Sequence, residues 1–137
     1  MGDRSVAVIG LGYIGLPTAA ILASHGYTVT GVDTDPVRVE RVDAGEVPFV
    51  EPDLGDVLAD AVRRGQLTAT TVVPQADVFI IAVPTPFEAD HQVDLSFINA
   101  AVDAILPRLR GRELIILEST SPPGTTAHVA ARVAKAR

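Results

Sequence analysis

The chain has 137 residues, a formal net charge of −6 and no cysteine. This length is typical of one domain, the acidic balance argues against a nucleic-acid-binding surface, and the lack of cysteine excludes disulfides, thiolate metal sites and a cysteine nucleophile. The longest purely apolar run, Val78–Val83, is far shorter than the roughly 20 residues of a membrane-spanning helix. The N-terminus also lacks a signal-peptide pattern, so we expect a cytoplasmic protein without a membrane partner.

Short apolar runs alternate with longer helical patterns, which predicts βαβ units and a parallel sheet. The expected strands are Val6–Ile9, Tyr27–Val32, a weak Gln66–Thr71, Val78–Val83 and Glu113–Leu117. The expected helices are Ile14–Ser24, Pro36–Ala44, Pro52–Arg64, Asp94–Leu109 and one from Thr125 onward. The predicted fold class is therefore α/β, a single Rossmann-type doubly wound domain with a mostly parallel sheet. Its most apolar strand, Val78–Val83, is expected at the centre.

A glycine motif joins the first strand to the first helix. Residues 10–15, Gly-Leu-Gly-Tyr-Ile-Gly, fit the pattern G-x-G-x-x-G, which follows a strand and opens a helix in dinucleotide-binding domains. There Gly10 permits the tight turn, Gly12 lets the backbone approach a pyrophosphate, and Gly15 lets the helix lie close to the sheet. The alternative is a structural turn that binds nothing, but the strand–turn–helix context favours a dinucleotide site.

An acidic residue, Asp33, ends the second strand 23 positions after Gly10. Its carboxylate is suited to accept hydrogen bonds from ribose hydroxyls and would repel a 2′-phosphate, and Thr34 rather than an arginine follows it, so the pattern favours NAD over NADP. The alternative role for Asp33 is a turn or cap residue. Arg38, one turn into the next helix, either reaches back to the ribose or phosphate or lies on a solvated helix face.

Two hydroxyl-bearing segments follow later strands at the same predicted sheet edge. Thr85 lies between two prolines in Val83-Pro-Thr-Pro-Phe87, and Thr120 and Thr126 lie in Glu118-Ser-Thr-Ser-Pro-Pro-Gly-Thr-Thr126. Ligands of open α/β sheets bind beyond the carboxyl ends of the strands. These threonines are therefore candidate ligand contacts, and the alternative for Thr85 is a solvated side chain.

Other polar residues give weaker signals. A metal site would require His91, Asp90 and Asp94 to converge, and a solvated loop is the favoured interpretation, so no metal is expected. Glu118 is the carboxylate at the predicted strand edge, and a structural role, bonding nearby N–H groups, is expected for it. No serine–histidine–aspartate arrangement is recognisable, and we predict no catalytic residue within the chain.

Five blocks of sequence together resemble the N-terminal domain of the UDP-glucose/GDP-mannose dehydrogenase family. They are VIGLGYIGLPTAA (8–20), GVD (31–33), VEPDL (50–54), ADVFIIAVPTPFEADHQVD (76–94) and LIILESTSPPGTT (114–126). The blocks cover nearly the whole chain, and VPTPF combined with ESTSP is far more specific than the glycine motif. One departure is Pro123, where the family typically has valine, which removes a backbone N–H at that position.

The resemblance implies an enzyme that oxidises the C6 alcohol of a UDP-linked hexosamine, UDP-N-acetylmannosamine, to the uronate with two NAD⁺. It implies that Tyr13 and Ile14 contact the pyrophosphate through their backbone and that Asp33 and Arg38 hold the adenosine ribose. The threonines implied along the NAD path are Thr85, Thr120 and Thr126.

The resemblance also implies that residues 1–137 are an NAD-binding domain truncated from a longer enzyme, and that the UDP-sugar-binding domain of that enzyme is absent. The full-length enzyme is expected to be a homodimer. The cysteine and lysine that such enzymes use lie outside the matching blocks, so this segment would bind NAD without completing the reaction. The alternatives are a stand-alone NAD-sensing module, a sister enzyme acting on UDP-glucose or UDP-N-acetylglucosamine, and a β-hydroxyacid dehydrogenase.

Overall fold

Five parallel strands form one sheet in the order β3-β2-β1-β4-β5. The structure is a computed structural model that describes residues 4–86, 94–119 and 122–136. The strands are β1 (Ser5–Ile9), β2 (Thr28–Val32), β3 (Leu67–Thr70), β4 (Val78–Ile81) and β5 (Leu114–Leu117). The helices are α1 (Gly15–Ser24), α2 (Pro36–Asp43), α3 (Gly55–Arg63), α4 (Ser96–Ile105) and α5 (Thr125–Ala136). The predicted α/β, Rossmann-type doubly wound fold is confirmed.

Alternating side chains of β1 belong to two separate hydrophobic cores. Val6 and Val8 face the first core, which contains residues of α1, α2 and α3. Ala7 and Ile9 face the second core, which contains residues of α4 and α5. Because successive residues of a strand point to opposite faces of a sheet, a strand covered on both sides is apolar throughout. This explains why β1 and β4 appear in the sequence as short continuous apolar runs.

The middle strand of the sheet is β1, so the prediction that Val78–Val83 is the central strand is wrong. β4 is an inner strand, with β1 on one side and β5 on the other. High apolar content reports burial on both faces, and the strand order also depends on the connections between strands. The chain runs outward from β1 through β2 to β3 and then returns to β4 on the other side of β1, which places the topological switch point between β1 and β4.

Two helices are shorter than predicted by more than one residue. α3 begins at Gly55 rather than Pro52 because residues 52–54 form a turn. α4 ends at Ile105 and continues as one 3₁₀ turn, Leu106–Arg108. Pro107 has no N–H to donate to a carbonyl one helical turn earlier, so the regular α-helix ends there.

A bidentate ion pair joins α4 and α5 on the second face. Arg132 Nε and Nη2 each lie 2.8 Å from a carboxylate oxygen of Asp103. The hydrogen bonds from the guanidinium lower the pKa of Asp103. This contact links α5 to α4, whose other side lines the cavity described next.

Candidate cofactor-binding site

Two glycines of the motif are required by the protein's own packing. Gly10 has φ of +104°, a conformation that L side chains rarely adopt, and a Cβ placed there would lie 2.5 Å from the carbonyl oxygen of Ala82. A Cβ on Gly15 would lie 1.8 Å from the carbonyl oxygen of Gly10. Both distances are far below van der Waals contact. The turn, α1 and the end of β4 can therefore pack this closely only because residues 10 and 15 lack a Cβ.

Gly12 differs, because nothing in the protein requires a glycine there. Its φ lies outside the left-handed region, and the nearest atom to a Cβ would be Arg38 Nη1 at 3.8 Å, which is ordinary contact. A side chain would therefore fit the fold but would fill the space above the loop. A glycine at this position leaves the backbone open to close approach by a bound group, as the dinucleotide motif requires.

The carboxylate of Asp33 ties the end of β2 to the glycine loop. Its Oδ2 accepts a hydrogen bond from the backbone N–H of Leu11 at 2.9 Å, and its Oδ1 accepts one from the N–H of Asp35 at 3.0 Å. Since each carboxylate oxygen accepts about two hydrogen bonds, both retain capacity for a ligand hydroxyl. The sequence offered two alternatives for Asp33, a turn residue or a hydrogen-bond acceptor for a ligand. In the structure its carboxylate accepts hydrogen bonds within the turn and keeps capacity for a ligand as well.

Arg38 lies beside this carboxylate rather than pointing away from it. Its Nη1 is 3.9 Å from Asp33 Oδ2, and the two side chains are 36% and 14% exposed. Asp35 begins α2 by accepting hydrogen bonds from the N–H groups of Val37 and Arg38. This cap orients the first turn of α2 so that Arg38 faces the glycine loop, which places a cation next to the acidic group.

The N-terminus of α1 opens at the same sheet edge. Leu16 N–H bonds to the carbonyl of Gly12 at 3.1 Å, so the N–H groups of residues 13–15 belong to the first turn, where a helix has no internal acceptors. The aligned peptide dipoles add partial positive charge there. The Tyr13 side chain is 71% exposed and its ring packs against Phe49, with centroids 4.4 Å apart.

A cavity of about 250 Å³ lies between the glycine loop and α4. Four predicted site residues line it, namely Gly10, Gly12, Asp33 and Arg38. The opposite wall, which the sequence analysis missed, consists of Thr71, Val73, Phe97, Ala100, Ala101 and Ala104. The cluster of alanines on one helical face was the available signal, since small side chains leave room beside a helix. Most of the lining is apolar, and Asp33, Thr34 and Arg38 contribute polar side chains.

The remaining predicted residues are spread along the same edge. Thr85 is partly buried and follows Pro84, which lines the cavity. Thr126 lies in the first turn of α5 and lines a second groove beside β5, with Leu117 and Val129. Thr120 lies outside the described residues. The structure therefore gathers the glycine loop, Asp33 and Arg38 at one cavity, and the roles of the three threonines stay predictions.

The chain directly after β5 makes polar contacts that the sequence analysis did not identify. Glu118 was expected to accept from backbone N–H groups, but its carboxylate accepts from the hydroxyl of Thr18 at 2.9 Å. Ser119, which is 8% exposed, donates its hydroxyl to the carbonyl of Val83 at 2.7 Å. The end of β5 is thus bonded to both α1 and the segment after β4.

Two other features are absent from the described part of the chain. Within residues 4–86, 94–119 and 122–136, no group of three or more His, Cys, Asp or Glu side chains could hold a metal ion. No helix among those residues is long and apolar enough to cross a membrane. The glycine loop and its cavity are thus the candidate site.

The residues at this site fit a dinucleotide. Gly12 leaves the loop open, the first turn of α1 offers N–H groups to a pyrophosphate, and Asp33 retains acceptor capacity for ribose hydroxyls. The largely apolar lining of the cavity beside Asp33 suits an apolar planar group such as a base. The cavity, Asp33 and the glycine loop lie next to one another at one sheet edge.

Relatives with a similar sequence have been described. UDP-N-acetyl-D-mannosamine dehydrogenase of Yersinia pestis is 49% identical over 137 residues, which is all of this chain and 33% of that protein. A Ralstonia nicotianae NDP-N-acetyl-D-galactosaminuronic acid dehydrogenase is 51% identical over 123 residues, 90% of this chain and 29% of that protein. The chain therefore spans about a third of the length of these curated relatives.

Solved structures give the same result. UDP-N-acetyl-mannosamine dehydrogenase from Staphylococcus aureus matches 96% of this chain and 32% of its own, with 39% identity and a TM-score of 0.91. 3-Hydroxyisobutyrate dehydrogenase from Mycobacterium tuberculosis matches 96% of this chain and 37% of its own, but at 21% identity and a TM-score of 0.64. The second likeness shows the fold alone, so it gives no support to the β-hydroxyacid dehydrogenase alternative.

The family model described as "UDP-glucose/GDP-mannose dehydrogenase family, NAD binding domain" matches residues 4–137. This match, with the identity to full-length relatives, confirms the predicted family and the predicted cofactor, NAD. The chain belongs to the UDP-glucose/GDP-mannose dehydrogenase family, as the NAD-binding domain of a nucleotide-sugar dehydrogenase.

Proposed function

We propose that this chain is the cofactor-binding part of an enzyme that oxidises the C6 alcohol of UDP-N-acetylmannosamine to the uronate with two NAD⁺. The substrate is inferred from the UDP-N-acetyl-D-mannosamine dehydrogenases that are similar to the chain. The single observation that carries the binding proposal is Gly12, whose missing side chain leaves space above the loop that the fold does not need.

Each element of the site has a proposed part in binding. The N–H groups of Tyr13, Ile14 and Gly15 would hold the pyrophosphate, because they stand at the positive end of α1. Asp33 would accept from the adenosine ribose hydroxyls, and Arg38 would lie over the ribose or the adjacent phosphate. The adenine would occupy the apolar cavity beside α4, where burial of its faces favours binding.

The bound NAD⁺ would supply the hydride acceptor for oxidation of the alcohol carbon. The chain's own contribution is to hold and orient the cofactor, with Thr85, Thr120 and Thr126 proposed along its path toward the nicotinamide. The chain has no cysteine and a single lysine, Lys135. We propose that the groups reacting with the sugar, and the dimer contacts of the enzyme, come from residues outside this domain in a longer protein.

Calorimetric titration of the chain with NAD⁺ and NADP⁺ tests the binding proposal. We expect NAD⁺ to bind more tightly, because Asp33 opposes a 2′-phosphate. The variant Gly12→Ala should keep the wild-type melting temperature, since its Cβ meets no atom closer than 3.8 Å, and should lose measurable NAD⁺ binding. A Gly12→Ala protein that binds NAD⁺ like the wild type would contradict the pyrophosphate role of this loop.

A second experiment addresses whether the chain is catalytically incomplete. Mixed with UDP-N-acetylmannosamine and NAD⁺, the 137-residue chain should form no NADH, and its formation would refute the proposal that the reacting groups lie elsewhere. The competing proposal is a stand-alone NAD-sensing module. A reading frame that continues past Arg137 into a cysteine-containing segment favours the enzyme, and a stop codon there favours the sensing module.

The identity of the sugar has a specific competitor. The NDP-N-acetyl-D-galactosaminuronic acid dehydrogenase relative is as similar to this chain as the UDP-N-acetyl-D-mannosamine dehydrogenases are. We propose that the residues that contact the sugar lie outside this domain, so the cofactor domain alone does not discriminate between the two sugars. Turnover of the two UDP-N-acetylhexosamines by the longer protein, compared as kcat/KM, distinguishes these substrates.

A further inference from the structure

A polar contact joins α1 directly to the end of β5. Thr18 Oγ1 lies 2.9 Å from both Oε1 and Oε2 of Glu118, and both residues are partly buried. The hydroxyl has one hydrogen, so it donates to one carboxylate oxygen at a time. Partial burial strengthens such a bond, because fewer water molecules compete for the two groups.

The backbone at this point is bonded to β4 as well. The N–H groups of Glu118 and Ser119 donate to the carbonyl of Ile81, at 2.8 Å and 3.2 Å. The Ser119 hydroxyl donates to the carbonyl of Val83 at 2.7 Å. Two consecutive residues thus attach three elements, α1, β4 and β5, where the proposed cofactor path would cross the sheet edge.

Thr18 also contacts the glycine loop through its backbone. Its N–H donates to the carbonyl of Ile14 at 3.3 Å, and Ile14 is one of the residues whose N–H would hold the pyrophosphate. A single residue of α1 is therefore bonded to the proposed pyrophosphate segment by its backbone and to Glu118 by its side chain.

We propose that Glu118 is a positioning residue that couples the pyrophosphate end of the site to the ends of β4 and β5. This inference rests on the proposed function, since it requires a diphosphate at the N-terminus of α1. An anion bound there would tighten the first helical turn and shift the carbonyl of Ile14, the N–H of Thr18 and then its hydroxyl. Ser119 would carry the shift on to Val83, immediately before the Pro84–Pro86 segment.

A purely structural tether is the competing explanation, and coupling between sites requires its own evidence. The first test therefore examines the tether without a ligand, through hydrogen exchange of the Glu118 and Ser119 amides in the 137-residue chain. Thr18→Val removes the hydroxyl at nearly constant shape and should speed exchange at both amides. Thr18→Ser should restore wild-type exchange, and unchanged exchange in Thr18→Val would overturn the tether.

The second test measures coupling with ADP as the diphosphate probe, followed by NMR on the labelled chain. In the wild type, ADP should shift the amide signals of Glu118 and Ser119. At saturating ADP these shifts should be lost in Thr18→Val and kept in Thr18→Ser and Glu118→Gln, because glutamine retains a carbonyl acceptor. The ADP dissociation constant should rise about fivefold in Thr18→Val, at the low end of typical coupling between two sites.

A matched control is Thr68→Val, which makes the same chemical change at an exposed position of β3 and should leave these shifts unaltered. Shifts at Glu118 and Ser119 that persist in Thr18→Val would show that the tether is structural only. Absence of ADP binding to the wild type would overturn the proposed function and the coupling with it. The exchange experiment would still decide whether the tether exists.

Discussion

The backbone N–H of Leu11 donates a 2.9 Å hydrogen bond to the carboxylate of Asp33. Leu11 lies within the glycine motif and is fully buried, whereas Asp33 ends the neighbouring strand. The residue proposed to hold the ribose therefore also holds the loop proposed to bind the pyrophosphate. A substitution of Asp33 changes both, so its effect on binding is interpretable only when stability is measured on the same protein.

Replacing Asp33 with asparagine separates charge from hydrogen bonding. Asparagine keeps one carbonyl oxygen for Leu11 but loses the second acceptor, so we expect a loss of about 1 kcal/mol in the free energy of unfolding. Affinity for NADP⁺ should rise about tenfold, as roughly 1.4 kcal/mol of repulsion is removed. Calorimetry with both cofactors measures this change. Because the gain comes from the lost carboxylate charge, it should survive the addition of Arg38→Leu, and a gain that disappears would assign it to Arg38 instead.

The contact between Gly15 and Gly10 predicts a strong dependence of folding on residue 15. Gly15→Ala places a Cβ 1.8 Å from the Gly10 carbonyl oxygen and 3.2 Å from Ala82 Cβ. We expect a loss of roughly 3 kcal/mol in the free energy of unfolding, at the upper end of overpacking costs, measured by urea denaturation. Gly55→Ala, at the first position of α3 with no atom within 4 Å of the new Cβ, is the matched control. It should be neutral or stabilising by about 0.4–1 kcal/mol, and equal losses in both variants would contradict the packing argument.

The turn before β5 predicts a specific acid sensitivity. The N–H groups of Gly111 and Arg110 donate to Glu113 and lower its pKa from 4.5 to about 2. In the unfolded chain this carboxylate lacks these hydrogen bonds and therefore binds a proton at a higher pH than it does in the folded chain. Its contribution to the free energy of unfolding is complete above pH 4.5 and is lost as the pH falls toward 2.

Urea midpoints of the wild type and Glu113→Gln, compared at about pH 6 and about pH 3, measure this contribution. The difference between the two proteins should be largest at the higher pH and should shrink in acid, because glutamine does not titrate. If the difference in urea midpoint stayed the same at both pH values, the charge of Glu113 would not stabilise the folded chain.

We predict that copies of the chain associate through β5, which lies at one edge of the described sheet. Leu114 and Ile116 are 56% and 40% exposed, and within the described sheet β5 pairs with β4 alone. An exposed apolar strand at a sheet edge is a template for pairing with another copy. Sedimentation should show concentration-dependent association of the wild type that Ile116→Lys abolishes. Thr68→Lys on β3, at the opposite edge, is the control, and loss of association there as well would indicate a general charge effect.

Much of the architecture was predictable from local patterns. Continuous apolar runs identified β1 and β4 because both strands are covered on both faces of the sheet, and glycines marked the turns, since Gly10 and Gly26 both adopt positive φ. The boundaries were less accurate. Pro107 ended α4 earlier than its apolar spacing suggested, and β1 rather than β4 occupies the middle of the sheet, because strand order depends on connections that periodicity does not encode.

The amino-acid pattern was enough to predict the chemistry at the cofactor site: a glycine loop at a helix N-terminus, an acid after the second strand and a family pattern that spans the chain. Which of these groups meet depends on how the chain folds. Folding bonded Asp33 to Leu11, placed Arg38 over Gly12, set the alanine face of α4 across the cavity and joined Glu118 to Thr18, 100 residues away. Local propensities depend on neighbours along the chain, whereas these contacts depend on strand order and helix packing, which arise only when the two cores close around the sheet.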